Sequence, residues 1–190
     1  MRRLERRAVH ERQPRSRLDL RLRPDAPVES ARVGFSDWLL ALHLLAAFAL
    51  MAALVLFTAV MIANWGDGRP QRASAYFRVA AVGGPLIGAG AGLALLLGIW
   101  LAIDLDAYHP WDGWIIASIV LWAIGGATGS RVGAHYSALQ ELVDRLSAGG
   151  DESNAELAEK LSDRRIRTLH AITVIAFTAV LVLMIFKPGA

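Results

Sequence analysis

Four apolar blocks dominate the pattern of hydrophobic and polar positions along the chain. They cover residues 38–63, 79–103, 113–130 and 169–186, and none contains an acidic or basic residue other than histidine. At about 1.5 Å per residue, each block forms a helix long enough to cross a hydrocarbon layer of about 30 Å. Buried helices of a water-soluble bundle would need polar outer faces, which these blocks lack. The pattern therefore predicts an all-α integral membrane four-helix bundle, with spans at about 37–64, 78–103, 113–131 and 168–187.

The polar stretch between spans three and four also has a helical pattern. Apolar residues recur at helical spacing from Leu139 to Leu146, and Glu141 and Arg145 form a favourable i,i+4 pair. After two glycines, the sequence SNAE at 153–156 is a capping-box pattern, which predicts a second helix that runs directly into span four. We expect a cytoplasmic helical hairpin extension here. It is either a polar connector without partners or a docking surface.

Small residues recur at every fourth position in two of the spans. The first set is Ala80, Gly84, Gly88 and Gly92, and the second is Gly125, Gly129 and Gly133. Membrane helices gain by close van der Waals approach, which small residues permit. We interpret both sets as intramolecular contact faces between spans, and a homo-oligomer formed through the same faces is the alternative.

The composition and the motifs limit the kinds of binding site and catalytic site that the protein can have. The chain has 55% hydrophobic residues and no cysteine, which excludes disulfides, iron–sulfur clusters and thiolate metal sites. The sequence contains no phosphate-cradling glycine loop with a lysine, no HExxH and no nucleophile elbow. No span has a charged residue at its centre, where an ion path would require one. These features favour a structural or accessory, non-catalytic membrane protein.

Charge is concentrated at the start of the chain. The first 32 residues hold ten arginines and five acidic residues. Such a run is typical of segments that bind anionic lipid or nucleic acid, but with few aromatic residues it is also typical of a solvated tail. We favour the second interpretation and expect no nucleic-acid partner. The predicted organisation is an Arg-rich, disordered tail at 1–35 and a four-span membrane domain at 36–190 that contacts the lipid bilayer.

The orientation in the membrane follows from the lysines and arginines close to the spans. Loops one and three together carry nine, whereas the opposite side carries five when only the nearest part of the tail is counted. This places loops one and three in the cytoplasm and both termini outside. Counting the whole tail reverses the balance, to eleven against nine.

Two histidines interrupt the apolar blocks, His43 in span one and His170 in span four. Because these spans run antiparallel, the two imidazoles lie roughly 20 Å apart along the membrane normal. Ligand nitrogens lie about 2 Å from a metal, so the two histidines cannot share one. On the cytoplasmic side His135 and His170 could meet, but the arginines nearby would repel a cation.

His43 lies instead at the level of the external loop between spans two and three. Asp104, Asp106, His109 and Asp112 are in or beside that loop. Two imidazoles and up to three carboxylates suit a divalent cation, and imidazole favours copper and zinc. The hypothesis is a metal site formed by His43, His109, Asp104 and Asp106. The alternative is a solvated acidic loop, with His43 hydrogen-bonded to a backbone carbonyl or water.

Three short segments carry a family resemblance. ALHLLAAFAL in span one, HPW before span three and the closing LVLMIFKPG resemble a bacterial family of small predicted integral membrane proteins of unknown function, over about residues 36–190. The resemblance implies a multi-pass protein of the bacterial inner (plasma) membrane. More distantly, a histidine early in the first span is similar to the copper-resistance D-like membrane proteins and the HemJ-type protoporphyrinogen oxidases. That similarity implies a ligand role for His43 alone, with copper or haem as the cofactor.

Two function classes follow. The first is a structural or accessory membrane protein without catalytic activity. The second is a metal- or haem-binding redox or metal-handling protein that uses His43 on the external side.

Overall fold

Five α-helices make up the computed structural model, which describes residues 34–104 and 111–188. They are α1 (Phe35–Ala63), α2 (Pro70–Asp104), α3 (Gly113–Ser147), α4 (Ala155–Leu161) and α5 (Arg164–Phe186). No strand occurs in these described ranges, and the all-α prediction is confirmed. Four helical segments are long and apolar enough to cross a membrane, the last of them running from α4 through α5. The Arg-rich tail and residues 105–110 of loop two lie outside the described residues.

The outer surface of the bundle is apolar. Large side chains such as Phe48, Val55, Leu96 and Ile175 are each about two-thirds exposed. In water this much exposed apolar surface would be unstable, whereas hydrocarbon solvates it without cost. The four predicted spans coincide with helices of the structure to within one residue at the ends of α1 and α5, and α2 and α3 extend well beyond their spans at the loop-one and loop-three end.

The spanning helices pack as two antiparallel pairs. α1 packs mainly on α2, α3 packs mainly on α5, and α2 and α3 join the two pairs. Side-chain hydrogen bonds also connect the pairs: Trp122 Nε1 donates to the Ala91 carbonyl at 3.1 Å, and Thr58 Oγ1 lies 2.8 Å from His170 Nε2.

The glycines of α3 contact α5 as expected. A Cβ placed on Gly125 would lie 2.9 Å from the Phe177 ring, and one on Gly129 would lie 3.3 Å from Thr173. The contact-face prediction is therefore confirmed for Gly125 and Gly129. The third member of the set, Gly133, has no such neighbour within 4 Å.

The intramolecular prediction is wrong for the glycines of α2. A Cβ on Gly84, Gly88 or Gly92 would meet nothing within 4 Å among the described residues, so these three face away from the described part of the bundle. The close contact uses Gly90 instead, where a Cβ would lie 3.1 Å from the Ala46 carbonyl oxygen and the Leu50 nitrogen on α1. The reason is geometric. Steps of four residues rotate by about 40° around a helix, so the stripe that starts at buried Ala80 turns outward.

The end of the bundle at loops one and three has its own core. We call this part the cap: loop one (64–69), the first turns of α2 (70–77), the last turns of α3 (136–147), and the segment 148–161 with α4. Its core includes apolar residues from α2, α3, α4 and the end of α1, namely Met61, Ala73, Phe77, Tyr136, Leu139, Val143, Leu157 and Leu161. Val143 and Leu157 are fully buried. The hairpin between spans three and four thus packs on the end of α1 and the start of α2.

Backbone contacts fix the hairpin on loop one. The Asn154 backbone nitrogen donates to the Gly68 carbonyl at 2.8 Å, and a Cβ on Gly68 would lie 2.6 Å from the Asn154 oxygen. Asp151 Oδ1 accepts from the Gln71 nitrogen at 3.0 Å, so a loop-three carboxylate caps the first turn of α2. The first turn of a helix has free N–H groups, which such an acceptor satisfies.

The hairpin differs from the sequence prediction at two caps. The N-cap of α4 is Asn154 rather than Ser153, and its Oδ1 accepts from the Leu157 nitrogen at 3.0 Å. The second helix does not run directly into span four, because α4 ends at Leu161 and Asp163 starts α5 by accepting from the Arg165 nitrogen at 2.7 Å. Asn and Asp side chains compete for backbone N–H groups in this way and so interrupt helices.

Candidate functional site

His43 is buried between α1 and α2. Its side chain is 5% exposed, and the ring occupies the space that Gly98 leaves, since a Cβ there would lie 2.9 Å from His43 Cε1. The backbone of Ala94 hydrogen-bonds to the ring. His43 Nδ1 is enclosed and has no hydrogen-bond partner among the described residues. One imidazole nitrogen is thus satisfied by the backbone and the other is left without a partner.

The structure does not bring Asp104 to His43. Asp104 Oδ2 accepts a hydrogen bond from Ser36 Oγ at 2.6 Å, at the end of α2. Ser36 precedes His43 by seven residues on α1, a separation of about 10 Å along the helix axis. Asp106 and His109 lie outside the described residues. Within residues 34–104 and 111–188, no group of three or more metal-binding side chains is close enough to hold an ion. The four-residue metal site remains a sequence prediction.

His170 has a different environment at the other end of the bundle. Its ring lies 5.5 Å from that of Phe57, and its Nε2 lies 2.8 Å from Thr58 Oγ1. The Thr58 hydroxyl donates to the Leu54 carbonyl at 2.7 Å, so His170 Nε2 is the donor to Thr58. Thr58 lies fifteen residues beyond His43 on α1, or about 22 Å along the axis. This placement agrees with the expectation that His43 and His170 do not share a metal.

His135, the other histidine expected near His170, packs its ring against Tyr136 at 5.8 Å. Its Nε2 is enclosed and has no partner in the part of the chain that the structure describes. Tyr136 in turn contacts the rings of Phe57 and Phe77. The aromatic residues thus fill the space where α1, α2 and α3 enter the cap.

The ion pairs described at the cap lie at its surface, and of their side chains only Asp67 is partly buried. Arg72 contacts Asp67 at 3.0 Å, and Lys160 contacts Glu156 at 2.8 Å. The hydrogen bond from Lys160 and its positive charge hold the pKa of Glu156 below its ordinary value. Exposed pairs of this kind contribute little to stability. They position the two loops rather than form a reactive site.

The sequence prediction missed a contact between Arg167 and Trp65. The Cζ atom of Arg167 lies 3.7 Å from the centre of the Trp65 ring, which is a cation–π contact. In the sequence, Arg167 contributes only to the charge count that sets orientation. Trp65 directly follows span one and Arg167 directly precedes span four, so both residues lie at the same membrane interface. Their common depth in the membrane is the sequence signal from which the contact could have been predicted.

An apolar groove lies between α1 and α2 on the lipid-facing surface. It has a volume of about 300 Å³ and is lined by leucines, alanines and Gly90. Such a lining supplies no group for acid–base chemistry or for binding a polar ligand. The groove is suited to packing against apolar groups.

Comparison with known proteins supports the membrane architecture. No curated protein and no solved structure matches the chain significantly. The distant similarity to copper-resistance D-like and HemJ-type proteins stays a prediction. A family model described as "Predicted integral membrane protein (DUF2269)" matches residues 37–188. Since this match includes all four spans and the cap, the chain belongs to the DUF2269 family of integral membrane proteins, whose function is unknown.

Proposed function

We propose that the protein is a structural or accessory component of the bacterial inner membrane that acts by helix association within the bilayer and is not a catalyst. The observation that carries the proposal is the outward glycine face of α2. Gly84 and Gly88 are exposed, and a Cβ on either would meet nothing within 4 Å. The chemistry that the site could offer is sparse by comparison, since His43 and His170 lie far apart and each is buried.

Outward glycines need an explanation, because glycine costs a helix up to about 1 kcal/mol relative to alanine. Gly90 offsets this cost by close contact with α1, but Gly84 and Gly88 make no such contact with residues 34–104 or 111–188. Small residues four positions apart let two membrane helices approach closely. A second copy of the chain, packed through the same face of α2, would fill this space. The proposal is therefore a homo-oligomer formed through α2.

The test is association in liposomes, measured by energy transfer between labelled copies at a fixed ratio of protein to lipid. Gly88→Leu should reduce the transfer to the level of unassociated proteins. Ala59→Leu is the matched control, since it adds the same side chain at an exposed position on α1. A monomeric wild type would refute the proposal, as would equal loss of transfer in the control.

The proposed orientation has loops one and three in the cytoplasm and both termini outside. Nine lysines and arginines in those two loops support it by the positive-inside rule. The cap would then be a cytoplasmic structure, and the α1–α2 groove would open to lipid.

The second candidate is a metal- or haem-binding protein with His43 as a ligand. The enclosed Nδ1 of His43, without a described partner, is the observation that favours it. Purified protein would then contain stoichiometric copper or show a Soret band. His43→Ala and His109→Ala would each abolish binding, whereas His170→Ala would not. Since imidazole must be neutral to bind, metal affinity would fall as the pH drops through ~6.5. A colourless, metal-free protein would exclude this candidate.

A further inference from the structure

The basic residues at the cap end of the bundle differ in burial. Nine lysines and arginines of loops one and three and the adjoining helix ends lie here: Arg69, Arg72, Arg78, Arg131, Arg145, Lys160, Arg164, Arg165 and Arg167. All nine are among the described residues; eight of them are exposed, and Arg167 alone is half-buried. Removing a guanidinium from water is unfavourable unless a partner compensates for it. The position of Arg167 therefore calls for a partner.

Trp65 is the residue that contacts the Arg167 guanidinium. The guanidinium carbon of Arg167 lies 3.7 Å from the centre of the Trp65 ring, so the two planar groups are in direct contact. Stacking on an indole orients a guanidinium and leaves its N–H groups free to bind an acceptor. Trp65 itself is 55% exposed, which leaves the rest of the ring open to the surroundings. The contact fixes the cation but does not neutralise it.

No carboxylate neutralises it within the part of the chain that the structure describes. Asp67, which follows Trp65, pairs with Arg72 at 3.0 Å and accepts from the Arg69 nitrogen. Asp163, which precedes Arg167, accepts from the nitrogens of Arg165 and Ile166. The Nε of Arg167 is enclosed without an acceptor, whereas its terminal nitrogens are not among the enclosed atoms. Arg167 is thus a fixed cation whose outer N–H groups are available.

The depth of Trp65 and Arg167 in the bilayer indicates which anion can reach Arg167. Trp65 follows α1 by two residues, and Arg167 precedes the apolar part of α5, which starts at Leu169. Both therefore lie where tryptophans and arginines meet the headgroups. The anionic group at this level is phosphate, and the planar fork of arginine binds phosphate in a bidentate manner.

We propose that Trp65 and Arg167 form a binding site for the phosphate of an anionic phospholipid headgroup. The arginine supplies the N–H donors, the indole holds the guanidinium in place, and the acyl chains lie along the apolar surface of α1 and α5. The site depends neither on the orientation of the bundle nor on association through α2.

The test is the binding of phosphatidylglycerol to detergent-solubilised protein, followed by native mass spectrometry. Arg167→Gln should weaken this binding about tenfold or more, because it removes charge-assisted hydrogen bonds. Trp65→Leu should weaken it severalfold. Arg167→Lys should also weaken it, because lysine keeps the charge but loses the planar fork. Arg131→Gln is the control, since Arg131 is an exposed arginine at the same end that bonds to the Ala127 carbonyl of its own helix. The control should change the binding less than twofold.

Any of three results would overturn the proposal. Equal weakening in Arg131→Gln would mean that the lipid responds only to the overall charge of the cap. Displacement of phosphatidylglycerol by millimolar inorganic phosphate would indicate a soluble phosphate compound rather than a lipid. If Arg167→Gln does not fold, the Lys and Leu variants decide the question, and unchanged binding in both would refute the site.

Discussion

At the scale of single residues, the role of a glycine in this protein depends on what faces it. Gly88 and Gly90 are two positions apart on α2, yet only Gly90 contacts α1. A side chain at Gly90 would separate two backbones, whereas one at Gly88 would extend into lipid or into a second copy. The same chemical residue thus serves two different surfaces.

Replacing each of these glycines by leucine distinguishes the two surfaces. Gly90→Leu should lower the free energy of unfolding by about 1–3 kcal/mol, the usual cost of overpacking. Gly88→Leu should leave it unchanged or raise it, because leucine is the better helix former. Thermal unfolding in detergent, at a dilution at which the protein is monomeric, measures both. Equal destabilisation by the two changes would place Gly88 inside the bundle.

These glycines also mark where prediction from the sequence fails. The spans could be predicted because an uncharged apolar block of sufficient length is enough to specify a membrane helix. The inward face of α2 could not, since the side that faces lipid is as apolar as the side that faces α1. For His43 the level in the membrane was predictable, but its contact with Gly98 was not. The bond between Ser36 and Asp104 joins groups 68 residues apart and has no local sequence signal.

At the scale of elements, short polar side chains determine where the helices of the cap begin. Asn154 starts α4 and Asp163 starts α5, each by accepting hydrogen bonds from backbone nitrogens. The sequence indicated the region of the first cap but not its position, because Ser and Asn are both good N-caps and stand next to each other. The break at Asp163 was missed because the helical apolar spacing continues through it.

The position of the α4 cap can be tested by two alanine substitutions. Asn154→Ala should destabilise α4 by about 1 kcal/mol, because the Leu157 nitrogen loses its acceptor. Ser153→Ala should change the stability of α4 by no more than a few tenths of about 1 kcal/mol. Hydrogen exchange of the α4 amides is the measurement, and faster exchange is expected only in the Asn154 variant. If the serine variant exchanges faster instead, the N-cap is Ser153.

At the scale of the whole molecule, the α1–α2 pair and the α3–α5 pair contact each other in two places, along the spans and in the cap. Within the membrane, contacts between the pairs include the bonds from Trp122 to Ala91 and from His170 to Thr58. In the cap, fully buried Val143 and Leu157 join the end of α3 and α4 to the start of α2. Burial in water supplies a hydrophobic driving force that lipid does not. The cap should therefore hold the pairs together more strongly than the spans do.

The orientation of the molecule is open to a direct test. A reporter fused after Ala148 should be cytoplasmic, and one fused after Ala107 should be external, because loops one and three carry the excess of lysine and arginine. Activity of paired reporters that function on opposite sides of the membrane gives the result. The reverse pattern would invert the proposed topology and make the cap an external structure.

The hydrogen bond that the Gln71 nitrogen, in the first turn of α2, donates to Asp151 has a consequence for biosynthesis. The two groups are 80 residues apart, and the acceptor is the later one in the chain. At about 5–20 residues per second, α2 would emerge from the ribosome roughly 4–16 s before its cap exists. During that interval Ala73 and Phe77 lack Leu157 and the other later members of their core. The cap core can therefore be completed only after α4 has been synthesised.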